Sequence, residues 1–90
     1  MAVNSDVVMY STRFCPYCIR ARALFATKNM QYCEIDVGQN PAFRQAMMEK
    51  SGRRTVPQIW IGKRHIGGCD ELMALDQAKQ LAPLLAELSA

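Results

Sequence analysis

Val7-Val8-Met9-Tyr10 is an unbroken apolar run bounded by Asn4-Ser5-Asp6 and Ser11-Thr12. A run of this kind predicts a strand buried on both faces. Pro16 then opens a segment of helix formers from Ile19 to Thr27. Proline suits a first helical turn because its missing N–H would have no intrahelical acceptor there. Ala21, Leu24, Phe25 and Lys28 fall on adjacent turns and predict one inward face. Asn29 is the predicted left-handed terminator. From Tyr32 to Val37 the pattern switches to alternation: Cys33, Ile35 and Val37 point one way, and Tyr32, Glu34 and Asp36 the other. On this pattern Cys33 is a core residue. Two strands around a helix of this length imply a parallel pair with a right-handed crossover.

Asn40-Pro41 reads as a cap followed by a first-turn proline, and Phe43, Ala46, Met47 and Lys50 form the predicted inner face of a second helix. Gly52 ends that helix. Pro57 to Ile61 is a β-type run, Gly62-Lys63 a two-residue turn, and Arg64-His65-Ile66 the returning strand of a hairpin. After Gly67-Gly68, Asp70 to Ala78 is helical in pattern, with Leu72 and Leu75 on one side. Pro83 begins a final short helix carrying Leu84, Leu85 and Leu88. The order is βαβ, α, ββ, α, with an extra terminal helix. This is an α/β chain, read as one domain over residues 1–90, with no repeat or linker.

Composition narrows the class. The chain has 90 residues, of which 50% are hydrophobic and 21% charged, which is globular rather than disordered. Its longest apolar stretches fall far short of the roughly 20 residues a bilayer span needs. The opening Met-Ala-Val-Asn-Ser-Asp has no basic region followed by an apolar run, which argues against a secretory signal. A reducing, cytoplasmic setting follows, where cysteines stay free unless they do redox chemistry or bind metal. The net charge of +3 is mild and forms no long basic run, so nucleic acid is not an expected partner. Its distribution matters more: no acidic side chain lies between Asp6 and Glu34, where Arg13, Arg20, Arg22 and Lys28 accompany three of the four cysteines. This is either a solvated helix face or a positive field around a thiol.

Cys15-Pro16-Tyr17-Cys18 follows a predicted strand and starts a predicted helix. Cysteines three apart on a first turn share a face and can close a disulfide with little backbone movement. The unpaired N–H groups and dipole of the helix start stabilise a thiolate at the first of them. The thiolate is the attacking species in disulfide exchange, so Cys15 is the predicted nucleophile. Cys18, one turn inside and more buried, is the resolving thiol. The bland alternative is half of a zinc site. Zinc generally takes four ligands, and only Cys33, Cys69 and His65 remain, without a second Cys-X-X-Cys. No metal site is expected.

Two further segments carry weaker signals. Thr55-Val56-Pro57 is ordinarily an edge-strand feature. Beside a redox cysteine, a cis Val56-Pro57 bond would turn the Val56 N–H and C=O outward, where an extended cysteine peptide could pair with them. Gly67-Gly68-Cys69-Asp70 is either a turn before an ordinary first-turn Asp, or a site for an α-amino acid head group. In the second reading the Cys69 and Asp70 N–H groups bind its carboxylate and Asp70 its amine.

Cys15-Pro16-Tyr17-Cys18, Thr55-Val56-Pro57-Gln58 and Ile66-Gly67-Gly68-Cys69-Asp70-Glu71-Leu72 together resemble a bacterial dithiol glutaredoxin, over about Val7 to Leu88. The Trp-Cys-Gly-Pro-Cys typical of thioredoxins is absent. The resemblance implies a thioredoxin-like sandwich with a four-stranded mixed sheet. It also implies a monomeric glutathione-disulfide oxidoreductase with no bound cofactor and glutathione as reducing co-substrate. Its substrates would be disulfide-containing or glutathionylated proteins, ribonucleotide reductase being one family-level candidate. Tyr17 would flank glutathione, Thr55 and Val56 would contact its backbone with Pro57 in cis, and Gly68, Cys69 and Asp70 would hold its γ-glutamyl end. Many family members carry lysine three residues before the first cysteine. Thr12 stands there in this chain, which leaves Arg13, Arg53 or Arg54 to meet the glycyl carboxylate. A second function class is a glutathione-ligated iron–sulfur cluster carrier. Such relatives usually have Ser or Gly after the first cysteine, where this chain has Pro16.

Overall fold

A computed structural model describes residues 6–89, with side chains through residue 86. The segment 1–5, on which the secretory-signal reading rests, and the Leu88 side chain lie outside the described residues. The elements are β1 (Val7–Ser11), α1 (Pro16–Thr27), β2 (Cys33–Asp36), α2 (Pro41–Ser51), β3 (Gln58–Ile61), β4 (Arg64–Gly67), α3 (Cys69–Gln77) and α4 (Leu81–Ser89).

The four strands form one mixed sheet in the order β2-β1-β3-β4. β1 runs parallel to β2, with Tyr10 opposite Ile35 and Ser11 opposite Asp36. β3 is antiparallel to both β1 and β4. The unbroken apolar run of β1 has a direct cause, because each face of this central strand enters a different core. Val7 and Met9 join Ala21, Phe25, Ile59, Ile61, Ile66, Leu72 and Leu81. Tyr10 joins Val37 and Met47 on the other side, with Val8, Ile35, Val56 and Trp60 against them. The sheet is thus a middle layer, and β1 ends in the interior next to the start of α1.

Most predicted boundaries are observed. Pro16 opens α1, and Asn29, at φ 58, turns the chain out of it while the Met30 N–H returns to the Phe25 carbonyl at 2.9 Å. Gly52, at φ 72, ends α2 in the left-handed region that favours glycine. Gly62-Lys63 makes the hairpin turn.

Several expectations are corrected. Lys28, expected on the inner face of α1, is exposed and pairs with Asp76. Phe43 is 48% exposed; Met47 is the buried residue of α2, and Met48 packs beside it. Lys50 is also exposed, and its ammonium donates to the Tyr10 hydroxyl, Nζ to Oη 3.4 Å. Cys33 is only half-buried, because β2 is an edge strand whose first residue has sheet on one side only. The last helix begins at Leu81, not Pro83, and Leu81 is buried in the α1/α3 core. Asn40 precedes α2 as predicted, but its side chain makes no cap bond. No helix among the described residues is long and apolar enough to cross a membrane.

Candidate active site

Cys15 is the residue on which α1 starts: its backbone is extended at φ −72, ψ 123, and its carbonyl accepts the Ile19 N–H at 3.0 Å. Its half-buried thiol donates to the Val56 carbonyl, Sγ to O 3.7 Å, across forty-one residues of sequence. Cys18 is fully buried one turn on. Burial pushes the Cys18 thiol up from an ordinary 9.0 to about 11, and the neighbouring Cys15 adds to the rise. A backbone hydrogen bond from Thr12 and the charge of Arg22 act in the opposite direction. The two thiols are therefore unlike: one accessible at a helix start, the other held protonated inside.

A groove of about 340 Å³ lies beside them, lined by Tyr17, Arg53, Thr55, Val56, Pro57, Gly68, Cys69, Asp70 and Glu71. Three segments distant in sequence meet there because β1–α1, the entry to β3 and the β4–α3 junction end at the same edge of the sandwich. The Val56-Pro57 peptide is cis. Behind this loop the buried Gln58 amide donates to the Thr55 carbonyl at 3.0 Å and to Thr55 Oγ1 at 3.2 Å. The Gln58 Oε1 then faces His65 Nε2 at 2.7 Å, so that nitrogen carries the proton. Burial first, and then the charge of Arg53, lower the His65 pKa and keep the ring neutral. His65 also lies against Trp60, ring centroids 4.6 Å apart. Through Gln58 it braces the loop.

At the far wall the Gly68 N–H donates to Glu71 Oε1 at 2.6 Å, and Arg53 Nη1 pairs with the same oxygen at 3.2 Å. The Gly68 hydrogen bond, aided by Arg53, holds the Glu71 carboxyl below its usual range. The next N–H groups, of Cys69 and Asp70, belong to the first turn of α3, which has no intrahelical acceptors for them. Cys69 itself is buried, and burial, followed by the charge of Asp70, raises its thiol.

Of the residues singled out in the sequence, Tyr17, Thr55, Val56, Pro57, Gly68, Cys69 and Asp70 share this groove. Arg13 does not. It lines a separate depression of about 250 Å³ with Thr12, Phe14, Cys15, Asp36, Gly38 and Gln39. The guanidinium on the groove is Arg53, while the Arg54 carbonyl is engaged with Arg44 at 3.1 Å. Sequence reasoning missed Glu71, although its position three residues after Gly68 is the spacing of a capping box. The run of basic residues also resolves. Arg22 pairs with Glu34 at 2.7 Å and Lys28 with Asp76 at 2.8 Å, so two of the four charges are matched by acids from β2 and α3. Arg13 and Arg20 instead lie 5.9 Å over the rings of Phe14 and Tyr17. Among the described residues no group of three or more His, Cys, Asp or Glu could hold a metal ion.

The glutaredoxin family model matches residues 7–66. The chain is 49% identical over 80 residues to a glutaredoxin of Pseudomonas aeruginosa, covering 89% of this chain and 95% of that one. The chain belongs to the glutaredoxin family. It is similarly 48% identical over 81 residues to glutaredoxin 3 of Escherichia coli K12, covering 90% and 98% of the two chains. A solution structure of a Brucella melitensis glutaredoxin is 48% identical with a TM-score of 0.79, covering 93% of this chain and 91% of that one. A crystal structure of a buckwheat glutaredoxin–glutathione complex is 36% identical with a TM-score of 0.86, covering 94% and 80%. The sandwich described above is thus the thioredoxin-like fold of glutaredoxins, and the activity that goes with the family is thiol oxidoreduction.

Proposed function

We propose that this glutaredoxin reduces protein disulfides and protein–glutathione mixed disulfides with electrons from glutathione, through Cys15 and Cys18. The observation that carries the reading is the placement of an accessible Cys15 thiol against Val56, a wall residue of the groove, with a buried Cys18 one turn behind it. The thiolate of Cys15 attacks a substrate sulfur, and the substrate's other sulfur leaves as a thiolate. On the dithiol route Cys18 loses its proton, attacks Cys15 and expels the second substrate thiol, leaving a Cys15–Cys18 disulfide. One glutathione opens that disulfide as a Cys15–glutathione mixed disulfide. A second takes the glutathionyl sulfur, giving glutathione disulfide and free Cys15. On the monothiol route glutathione attacks the mixed disulfide directly and Cys18 takes no part.

Glutathione fits the groove by charge. The first-turn N–H groups of Cys69 and Asp70 suit its γ-glutamyl carboxylate, and the Asp70 carboxylate suits the adjacent amine. Thr55 and Val56 offer backbone groups to its peptide, with Tyr17 as a flank. Arg53 is the cation that suits the glycyl carboxylate. The buckwheat relative, crystallised with glutathione, supports this occupant. The protein acts as a monomer in the cytoplasm, where glutathione keeps thiols reduced.

Turnover with glutathione against turnover with thioredoxin reductase tests the reductant. Faster turnover with thioredoxin reductase overturns the reading. Cys15→Ser is expected to abolish both substrate classes, whereas Cys18→Ser impairs protein disulfides and spares glutathione mixed disulfides. Visible absorbance of anaerobically purified protein separates the enzyme from a cluster carrier.

A further inference from the structure

The proposed chemistry leaves one charged cluster unused. Arg22 sits four residues after Cys18 on α1 and closes a ring of contacts with β1 and β2. Its Nε donates to Glu34 Oε2 at 2.7 Å, and its Nη2 to the Thr12 carbonyl at 2.9 Å and Ser11 Oγ at 3.4 Å. Ser11 Oγ donates to the same Glu34 oxygen at 2.5 Å. Ser11 is buried, and the Arg22 and Glu34 side chains are only 28% and 30% exposed. A guanidinium that spans a carboxylate and a backbone carbonyl through separate nitrogens fixes both partners, which an ammonium on a flexible stem cannot do at once.

The residue so fixed is Thr12, whose backbone favours the Cys18 thiolate, while Arg22 itself lies one turn from Cys18 on the same face of α1. Thr12 is therefore held by Arg22 through its carbonyl and acts on the resolving sulfur through its backbone. Cys15 has anchors of its own, the Ile19 N–H on its carbonyl and the Val56 carbonyl on its thiol. We propose that Arg22 is a positioning residue for the resolving thiol, clamping Thr12 against Cys18 so that the dithiol route depends on it and the monothiol route does not. The charge of Arg22 also favours the Cys18 thiolate over the thiol, in opposition to burial and to Cys15. This inference rests on the reading of Cys18 as the resolving thiol.

The step in question is closure. Cys18 gives its proton to solvent, its sulfur bonds to Cys15 Sγ, the Cys15–glutathione S–S bond breaks, and glutathione leaves as a thiolate. Arg22→Met keeps the length of the stem and removes charge and donors. The full-length chain, loaded as the Cys15–glutathione mixed disulfide, is followed by mass spectrometry for loss of glutathione. Closure is expected to slow about tenfold in Arg22→Met, while reduction of a small glutathione mixed disulfide stays within about twofold of wild type. Arg22→Lys, which keeps the charge but cannot hold both partners, recovers less than a third of the lost rate. Glu34→Gln loosens the other end of the clamp and slows closure about threefold, so the test survives if Arg22→Met does not fold. Unchanged closure in these variants overturns the clamp, as does an equal loss in both routes or full recovery by lysine. If Cys18→Ser leaves protein-disulfide reduction intact, the dithiol reading itself fails. If Cys18→Ser blocks that reaction and Arg22→Met still closes at the wild-type rate, only the clamp fails.

Discussion

Gly67→Ala concentrates several features of the groove wall in one methyl group. Gly67 has φ +115, outside the small left-handed region open to other residues, and a Cβ there would lie 2.5 Å from Glu71 Oε1 and 3.0 Å from Glu71 Cδ and Cγ. The backbone strain costs about 1–3 kcal/mol. The carboxylate is the far end of a flexible side chain and swings away, which breaks its bond to the Gly68 N–H. Loss of a helix cap of this kind costs about 1 kcal/mol, and the exposed pair with Arg53 adds at most ~1 kcal/mol. Against this, alanine restricts the unfolded chain and returns about 0.4–1 kcal/mol. The net expectation is roughly 2–3 kcal/mol of destabilisation. Gly52→Ala is the internal control. Gly52 also has positive φ, +72, but nothing lies within 4 Å of its Cβ position and its backbone is near the allowed left-handed well. Its cost is roughly 1 kcal/mol or less.

Urea unfolding with linear extrapolation measures both, with equal slopes showing that only stability has changed. A double-mutant cycle with Glu71→Ala then isolates the carboxylate. With Glu71 already gone, Gly67→Ala should cost about 1 kcal/mol less than it does in the wild type. The reasoning is refuted if Gly67→Ala is no worse than Gly52→Ala, or if the cycle is additive.

Arg53→Met should raise KM for glutathione about fivefold with kcat little changed, equivalent to about 1 kcal/mol of uniform binding. An unchanged KM in steady-state assays removes Arg53 from the glycyl-carboxylate role. Leu81→Ala should destabilise by about 2–4 kcal/mol in the same urea assay, because the residue is buried in the α1/α3 core. Acid stability should depend on Glu71. Its folded carboxyl titrates below the unfolded value of 4.5, so its contribution is full above that value and fades as pH falls through the folded one. Glu71→Gln should therefore flatten the acid limb of stability against pH. At the alkaline end the sign reverses. An unfolded Cys18 ionises near 9.0 and the folded one near 11, so wild type should lose stability with rising pH across that window. The slope is on the order of 1 kcal/mol per pH unit, and Cys18→Ser should lack it.

The sequence by itself determined the element order, and for local reasons. Pro16 and Pro41 open helices because a first turn needs no N–H from them. Asn29 and Gly52 end helices because both tolerate positive φ, and both are found there. The apolar run of Val7-Val8-Met9-Tyr10 announced a strand with two covered faces. Spacing also carried the chemistry of Cys15 and Cys18, since three residues on a first turn place two sulfurs on one face wherever the helix ends up.

What only the tertiary structure decided is which residues from different segments face each other. Periodicity put Phe43 inward, but α2 meets the sheet through Met47 and Met48 and leaves the ring in solvent. The choice among three arginines at the groove, and the matching of Arg22 and Lys28 to Glu34 and Asp76, depended on how α1, β2 and α3 dock. Local sequence fixes a residue's dihedrals and its side of an element. Charge pairing and burial depend on distances between elements, which are set by packing of the whole core and by no single window of the chain.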